Sequence, residues 1–197
     1  MQRVHRTVLA LARMMAVIGG SVLTLLILII CISILGRTAN SLLHSDFMMG
    51  AAPGMAQSLI DLGIGAIRGD FELVEAGMAF CIFAFLPLCQ VTGGHASVDI
   101  FTNFLPRGAN RFLIFLGEAL FAVALVVIAW QLDAGMDRKM RSGETTLLLQ
   151  FPVWWSYAAS LVGAVAAAAA GAYMALVRGL ELLTGRVIVA NAVGADH

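Results

Sequence analysis

The sequence contains few charged residues. Asp, Glu, Lys and Arg make up 12% of its 197 residues, which is about half of the roughly 25% found in soluble domains. Hydrophobic residues make up 60%, and the mean hydropathy is +0.92. The 12 basic and 12 acidic residues cancel, so the charge indicates no basic surface for a nucleic acid. This composition excludes an ordinary soluble domain and predicts an integral membrane protein.

Cysteine and histidine are also scarce. An odd number of cysteines within apolar runs predicts free thiols and no disulfide framework; the three are Cys31, Cys81 and Cys89. A haem-binding membrane anchor needs axial ligands that face each other from two spans. No histidine lies in the middle of an apolar run; the four are His5, His44, His95 and His197. We therefore expect no cofactor and no metal site.

The sequence is rich in long apolar runs, which lie at about residues 14–35, 71–91, 112–132 and 154–177. The first has 22 uncharged residues, enough at about 1.5 Å per residue to cross a hydrocarbon core of about 30 Å. A cleaved signal peptide is the alternative, but its apolar region is usually only about 7 to 15 residues long. We predict an all-α fold with four transmembrane helices in a single membrane domain, residues 1–197.

The basic residues favour one orientation of these spans. With four spans, both chain ends lie on the same side of the membrane, and that side carries seven arginines against five basic residues on the other. Three of the seven precede the first span, which usually dominates orientation. Both termini are therefore predicted to be cytoplasmic.

The connections are expected to contain short interfacial helices. Apolar residues recur at helical spacing after Pro53, within the segment 36–68: Met55, Leu59, Leu62 and Ile67. This spacing is typical of a helix on the membrane surface. A second apolar face lies between residues 98 and 105. The charged segment 133–151 is interpreted as a solvated loop.

Ionisable groups concentrate at both ends of the second run. Asp70 is placed to cap its helix, and Glu72 and Glu75 lie in the first turns, where the helix dipole favours carboxylates. A polar contact with a partner is the alternative explanation of these acids. His95 and Asp99 follow the run and lie four residues apart. They are interpreted either as packing groups at the end of a helix or as an acid–base pair.

The third run contains one acid, Glu118, seven residues after Arg111. A carboxylate near the bilayer is costly and faces protein, water or a cation. Two interpretations stay open: a charge paired with Arg111 on one helix face, and a polar group in a transport pathway.

The fourth run carries small residues at every fourth position: Gly163, Ala167 and Gly171. Such a stripe lets another helix approach closely. It serves either packing within the chain or contact with a partner subunit. In the second case, leucine at Gly163 and Gly171 is predicted to weaken assembly with that subunit.

Four features together resemble a known family: Arg37 after the first span, the segment Gly69–Glu75, the turn Gly94–Asp99, and Gly143–Thr146 leading to Phe151–Trp155. They resemble the DctQ-like small permease subunit of tripartite ATP-independent periplasmic (TRAP) transporters. The resemblance implies a multi-pass protein of the bacterial inner membrane without a catalytic site. It also implies two partners, a large permease subunit and, through the complex, a periplasmic solute-binding protein that captures an organic acid. The segment 36–68 is longer than this family's usual connection.

The spans contain few charged residues, and their charges gather at the ends. This favours a scaffold function, because an autonomous transporter is expected to show broken helices and polar groups near the midplane. The scaffold hypothesis assigns partner or structural contacts to Arg37, the acidic cluster, the His95–Asp99 turn and the small-residue stripe, with lipid around them. The alternative is an autonomous small transporter or channel that uses Glu118. A haem anchor and a membrane enzyme using Glu118, His95 and Asp99 are weaker alternatives.

Overall fold

The computed structural model describes residues 2–45, 48, 50, 53–61, 63, 65–93 and 107–184. These residues form five helices: α1 (Gln2–Leu43), α2 (Pro53–Asp61), α3 (Asp70–Thr92), α4 (Arg107–Ser142) and α5 (Trp154–Thr184). Four of them, α1, α3, α4 and α5, are long and apolar enough to cross a membrane. The predicted all-α membrane fold with four spanning helices is therefore confirmed.

Three of these helices extend well beyond the apolar runs. The 36 residues of α4 correspond to about 54 Å of helix at about 1.5 Å per residue. The solvated loop predicted from residue 133 onward is therefore wrong for residues 133–142, which are helical. Their charges support the helix, because Arg141 pairs with Asp137 at 3.5 Å and i,i+4 spacing. Lys139 and Arg141 also lie in the last turn, where the dipole favours cations.

A helix also forms where the connection was predicted to contain one. Pro53 is the first residue of α2, a position where its missing N–H costs no hydrogen bond. This helix packs against α1. The second predicted interfacial segment, residues 98–105, lies outside the described part of the chain.

The four long helices pack in the order α1, α3, α5, α4. The buried share of the most apolar window is 50% in α5 and 28% in α3, but only 11% in α1 and in α4. The inner helices are therefore α3 and α5, while the outer two expose large apolar side chains such as Leu25, Leu28 and Val123. Bilayer lipid is the solvent that suits this exposed surface.

Small residues allow the close approach of neighbouring helices. Gly19 of α1 faces Ala84 of α3, and Gly135 of α4 faces Tyr157 of α5. Buried alanines occupy the centre of α5: Ala164, Ala167 and Ala170. Close backbone approach replaces the hydrophobic driving force that is missing between helices in lipid. The three cysteines are free, as predicted.

Candidate functional site: a polar junction at the N-terminal end of α3

The end of α1 is joined to the start of α3 by a buried carboxylate. Ser33 Oγ donates a hydrogen bond of 2.6 Å to Asp70 Oδ2, and Arg37 Nη2 lies 3.3 Å from the same oxygen. The Asp70 side chain is 9% exposed, so its charge needs these partners to offset desolvation. The Arg37 guanidinium also lies 5.6 Å from the centre of the Phe71 ring. The sequence-predicted residues Arg37 and Asp70 thus form one ion pair.

Asp70 does not serve as the N-cap that its position suggested. The N-cap of α3 is Gly69, which has a left-handed φ of 79° and makes no side-chain cap hydrogen bond. Asp70 is the first helical residue, and its Oδ1 accepts the Phe71 N–H at 2.9 Å. The reason for the difference is tertiary: Oδ2 of this carboxylate is used to hold α1.

The connection before α3 lies directly on the surface of α1. Ser33 Oγ accepts a hydrogen bond from the Ile67 backbone N–H at 3.2 Å. A Cβ atom at Gly36 would overlap the carbonyl group of Gly65. Only a glycine permits this contact between helix and backbone. Ser33 and Gly36 were missed by the sequence analysis, since nothing local to them marks a partner about thirty residues away.

Glu72 binds the connection between α4 and α5. We call this connection, residues 143–153, the 143–153 loop. The two carboxylate oxygens of Glu72 accept hydrogen bonds from the backbone N–H groups of Leu148 at 2.7 Å and Leu149 at 2.9 Å. The Leu149 side chain fills the space where a Cβ on Gly69 would lie. Glu72 therefore stabilises the loop by a tertiary contact, in addition to its favourable place at the helix N-terminus.

The 143–153 loop is itself ordered by backbone hydrogen bonds. Thr145 and Pro152 form an isolated antiparallel bridge. The Thr146 N–H donates to the Phe151 carbonyl, and the Val153 N–H donates to the Glu144 carbonyl, both at 3.0 Å. Lys139 at the end of α4 pairs with Glu144 at 2.6 Å. The loop is a short hairpin that is hydrogen-bonded to α3 through Glu72. Leu147 lies at its tip and is 88% exposed.

Removing the Glu72 carboxylate is expected to free the loop. In Glu72→Ala, the backbone amides of Leu148 and Leu149 lose their acceptors, a loss of about 1.5 kcal/mol for bonds to a charged group. Hydrogen exchange at these two amides should become about tenfold faster. Glu75→Ala is the matched control, because Glu75 lies one turn further along and accepts neither amide. Equal exchange in both variants would contradict the assigned contact.

The small-residue stripe of α5 is used within the chain. A Cβ on Gly163 would lie 2.8 Å from Phe83 Cβ of α3, and one on Gly171 would lie 3.2 Å from Leu125 Cδ1 of α4. Ala167 between them is fully buried. These contacts support the first alternative, packing within the chain, for the three positions.

A second group of polar contacts lies toward the opposite end of the helices. Gln90 Nε2 of α3 donates to the Glu118 carboxylate of α4, and Arg178 pairs with Glu181 on α5 at 2.7 Å. Gln90, Arg178 and Glu181 are buried. The intramembrane acid Glu118 thus has a partner on α3, which the sequence analysis did not identify. His95 and Asp99 lie outside the described residues.

Comparison with known families identifies the class of membrane protein to which this chain belongs. Residues 26–182 match the family described as tripartite ATP-independent periplasmic transporters, DctQ component. This chain belongs to the DctQ family. The match covers the whole of α2, α3 and α4, residues 26–43 of α1, and all of α5 except its last two residues. No curated protein and no solved structure matches the chain.

Membership assigns this DctQ-family chain to the small membrane component of TRAP transporters. The family works within a three-part system that also contains a large permease and a periplasmic binding protein. The resemblance identified from sequence is therefore confirmed. The polar junction lies inside the matched range, since Ser33, Arg37, Asp70, Glu72 and the 143–153 loop all fall between residues 26 and 182.

Proposed function

We propose that this chain scaffolds the large permease subunit of a TRAP-type transporter in the bacterial inner membrane. The transporter would use a cation gradient to take up an organic acid that a periplasmic binding protein delivers. In this proposal both termini are cytoplasmic, so the polar junction faces the periplasm, where Arg37, Asp70 and Glu72 hold the outer ends of the helices.

The observation that carries this proposal is the low burial of the outer helices. Only 11% of the most apolar window is buried in α1 and in α4. Both helices therefore have broad apolar faces available to a second membrane protein, in addition to lipid. Two ionisable groups of the described spans are held by contacts between helices, Asp70 by Arg37 and Glu118 by Gln90. Such pairing fits a fixed scaffold better than a substrate pathway.

Affinity purification of the tagged chain from its native membrane in mild detergent tests the proposal. We expect a much larger polytopic protein to elute with it in stoichiometric amount. The matched control is the tag on an unrelated four-span protein from the same membrane, which should elute without that partner. If the chain elutes alone and stable, the scaffold is contradicted, and the alternative of an autonomous transporter is tested by replacing Glu118 with Gln.

A further inference from the structure

A cavity of about 610 Å³ lies between α3, α4, α5 and the 143–153 loop. Carboxylates and an ammonium group line it: Glu72, Glu75, Glu144 and Lys139. Hydroxyl groups and apolar side chains, among them Ser156, Ser160 and Leu132, complete the lining. The cavity is therefore amphipathic and carries charges of both signs.

Glu75 is the acid of this cavity that has no partner among the described residues. The Glu72 carboxylate accepts two loop amides, and Glu144 pairs with Lys139. Glu75 makes no hydrogen bond or ion pair with any residue that the structure describes. An unpaired carboxylate at the edge of a membrane span is costly, and a cation is the partner that offsets this cost.

A buried hydroxyl in the same cavity also has no partner in the part of the chain that the structure describes. Ser160 is 1% exposed, lines the cavity, and its Oγ forms no hydrogen bond within the described ranges. A buried hydroxyl without a partner is destabilising. Glu75 and Ser160 together indicate a polar ligand that contains a cationic hydrogen-bond donor.

The surface of α3 beyond Glu75 is apolar and exposed. Met78 and Ile82 follow Glu75 at three and seven residues and so share its helix face. Their side chains are 41% and 54% exposed. Seven residues correspond to about 10 Å of helix, so this face leads from the cavity into the hydrocarbon core. A ligand with a cationic head and an apolar chain matches both parts.

We propose that this cavity binds the headgroup of phosphatidylethanolamine. The lipid ammonium lies against Glu75, the phosphate accepts a hydrogen bond from Lys139, and an acyl chain follows Met78 and Ile82. A primary ammonium offers three N–H donors, and Lys139 keeps donors free beside its bond to Glu144. Phosphatidylcholine has no N–H donor on its cation, and phosphatidylglycerol has no cation. The inference concerns lipid recognition and does not rest on the proposed scaffold role.

Native mass spectrometry of the full-length chain in detergent tests this proposal. The protein is supplied with equal amounts of phosphatidylethanolamine, phosphatidylcholine and phosphatidylglycerol. The unaltered chain should retain phosphatidylethanolamine about tenfold more strongly than the other two, as expected for one charge-assisted hydrogen bond. Glu75→Gln should abolish this preference. Because Glu75 has no partner among the residues that the structure describes, the variant should keep its unfolding midpoint.

Asp137→Asn is the matched control. Asp137 is an exposed acid on α4 that pairs with Arg141 and does not line the cavity, so its loss should leave the lipid preference unchanged. Equal retention of all three lipids by the unaltered chain would overturn the proposal. So would a preference that survives in Glu75→Gln. If phosphatidylethanolamine binds only after a copurifying protein is removed, that protein fills the cavity and the lipid is not its occupant.

Discussion

Replacing Gly163 by leucine is expected to lower the thermal unfolding midpoint of the chain by about 10 °C. A Cβ at this position would lie 2.8 Å from Phe83 Cβ and 3.0 Å from the Phe83 carbonyl carbon. The second contact is with backbone, so no rotamer change relieves it. The inner helices α3 and α5 must then separate, at a cost of about 3 kcal/mol for overpacking. Circular dichroism of the purified chain in detergent measures the midpoint.

Gly117→Leu provides the matched control for this substitution. Gly117 lies in the spanning helix α4, and a Cβ there would meet no atom within 4 Å. Its midpoint should stay close to that of the unaltered chain, because leucine in open space displaces no neighbour. Similar midpoints for Gly163→Leu and Gly117→Leu would show that the α3–α5 contact is not close. Any loss of a partner subunit in Gly163→Leu would follow from the separated helices, since the stripe itself is buried.

Replacing Gly36 by alanine is expected to destabilise the chain by about 2 to 3 kcal/mol, although it adds only one methyl group. The methyl carbon would overlap the Gly65 carbonyl, so the connection before α3 must move away from α1. That movement breaks the hydrogen bond from the Ile67 N–H to Ser33 and disturbs the bond from Ser33 to Asp70. Thermal unfolding in detergent measures the loss.

The sign of the effect at Gly36 is the informative result. Gly20 lies on the same helix, and a Cβ there would meet no atom within 4 Å. Gly20→Ala should be neutral or stabilise the chain by up to about 1 kcal/mol, since alanine is the better helix former. Stabilisation by Gly36→Ala as well would contradict the close approach of residues 65–67 to α1.

The membrane class, the four spans and the family followed from local sequence patterns. An apolar run long enough to cross a bilayer forms a helix because no other conformation satisfies its backbone in lipid. The same reasoning could not place the end of α4. Residues 133–142 are charged, and a helix that continues into water leaves no hydropathy signal.

The partners of the acidic cluster also could not be read from sequence. Asp70 contacts Ser33 across 37 positions, and Glu72 contacts Leu148 across 76. Local rules predicted helix-end roles for both acids, because capping and dipole effects act within one turn. Glu72 does lie in the first turn of α3, and its carboxylate also binds the 143–153 loop. The Asp70 carboxylate instead binds Ser33 of α1.

The sequence by itself determined that this protein is a four-span DctQ-family membrane component with free cysteines. It also determined that the spans contain few charged residues. These properties depend on hydrophobicity, length and motif order, which are local. Only the tertiary structure decided that α3 and α5 lie inside, that the small-residue stripe is buried and that Glu118 contacts Gln90. It also decided that Glu75 has no partner within the described ranges. The physical reason is that lipid removes the difference in hydrophobicity between the buried and exposed faces of a helix, so the sequence pattern no longer shows which face is packed.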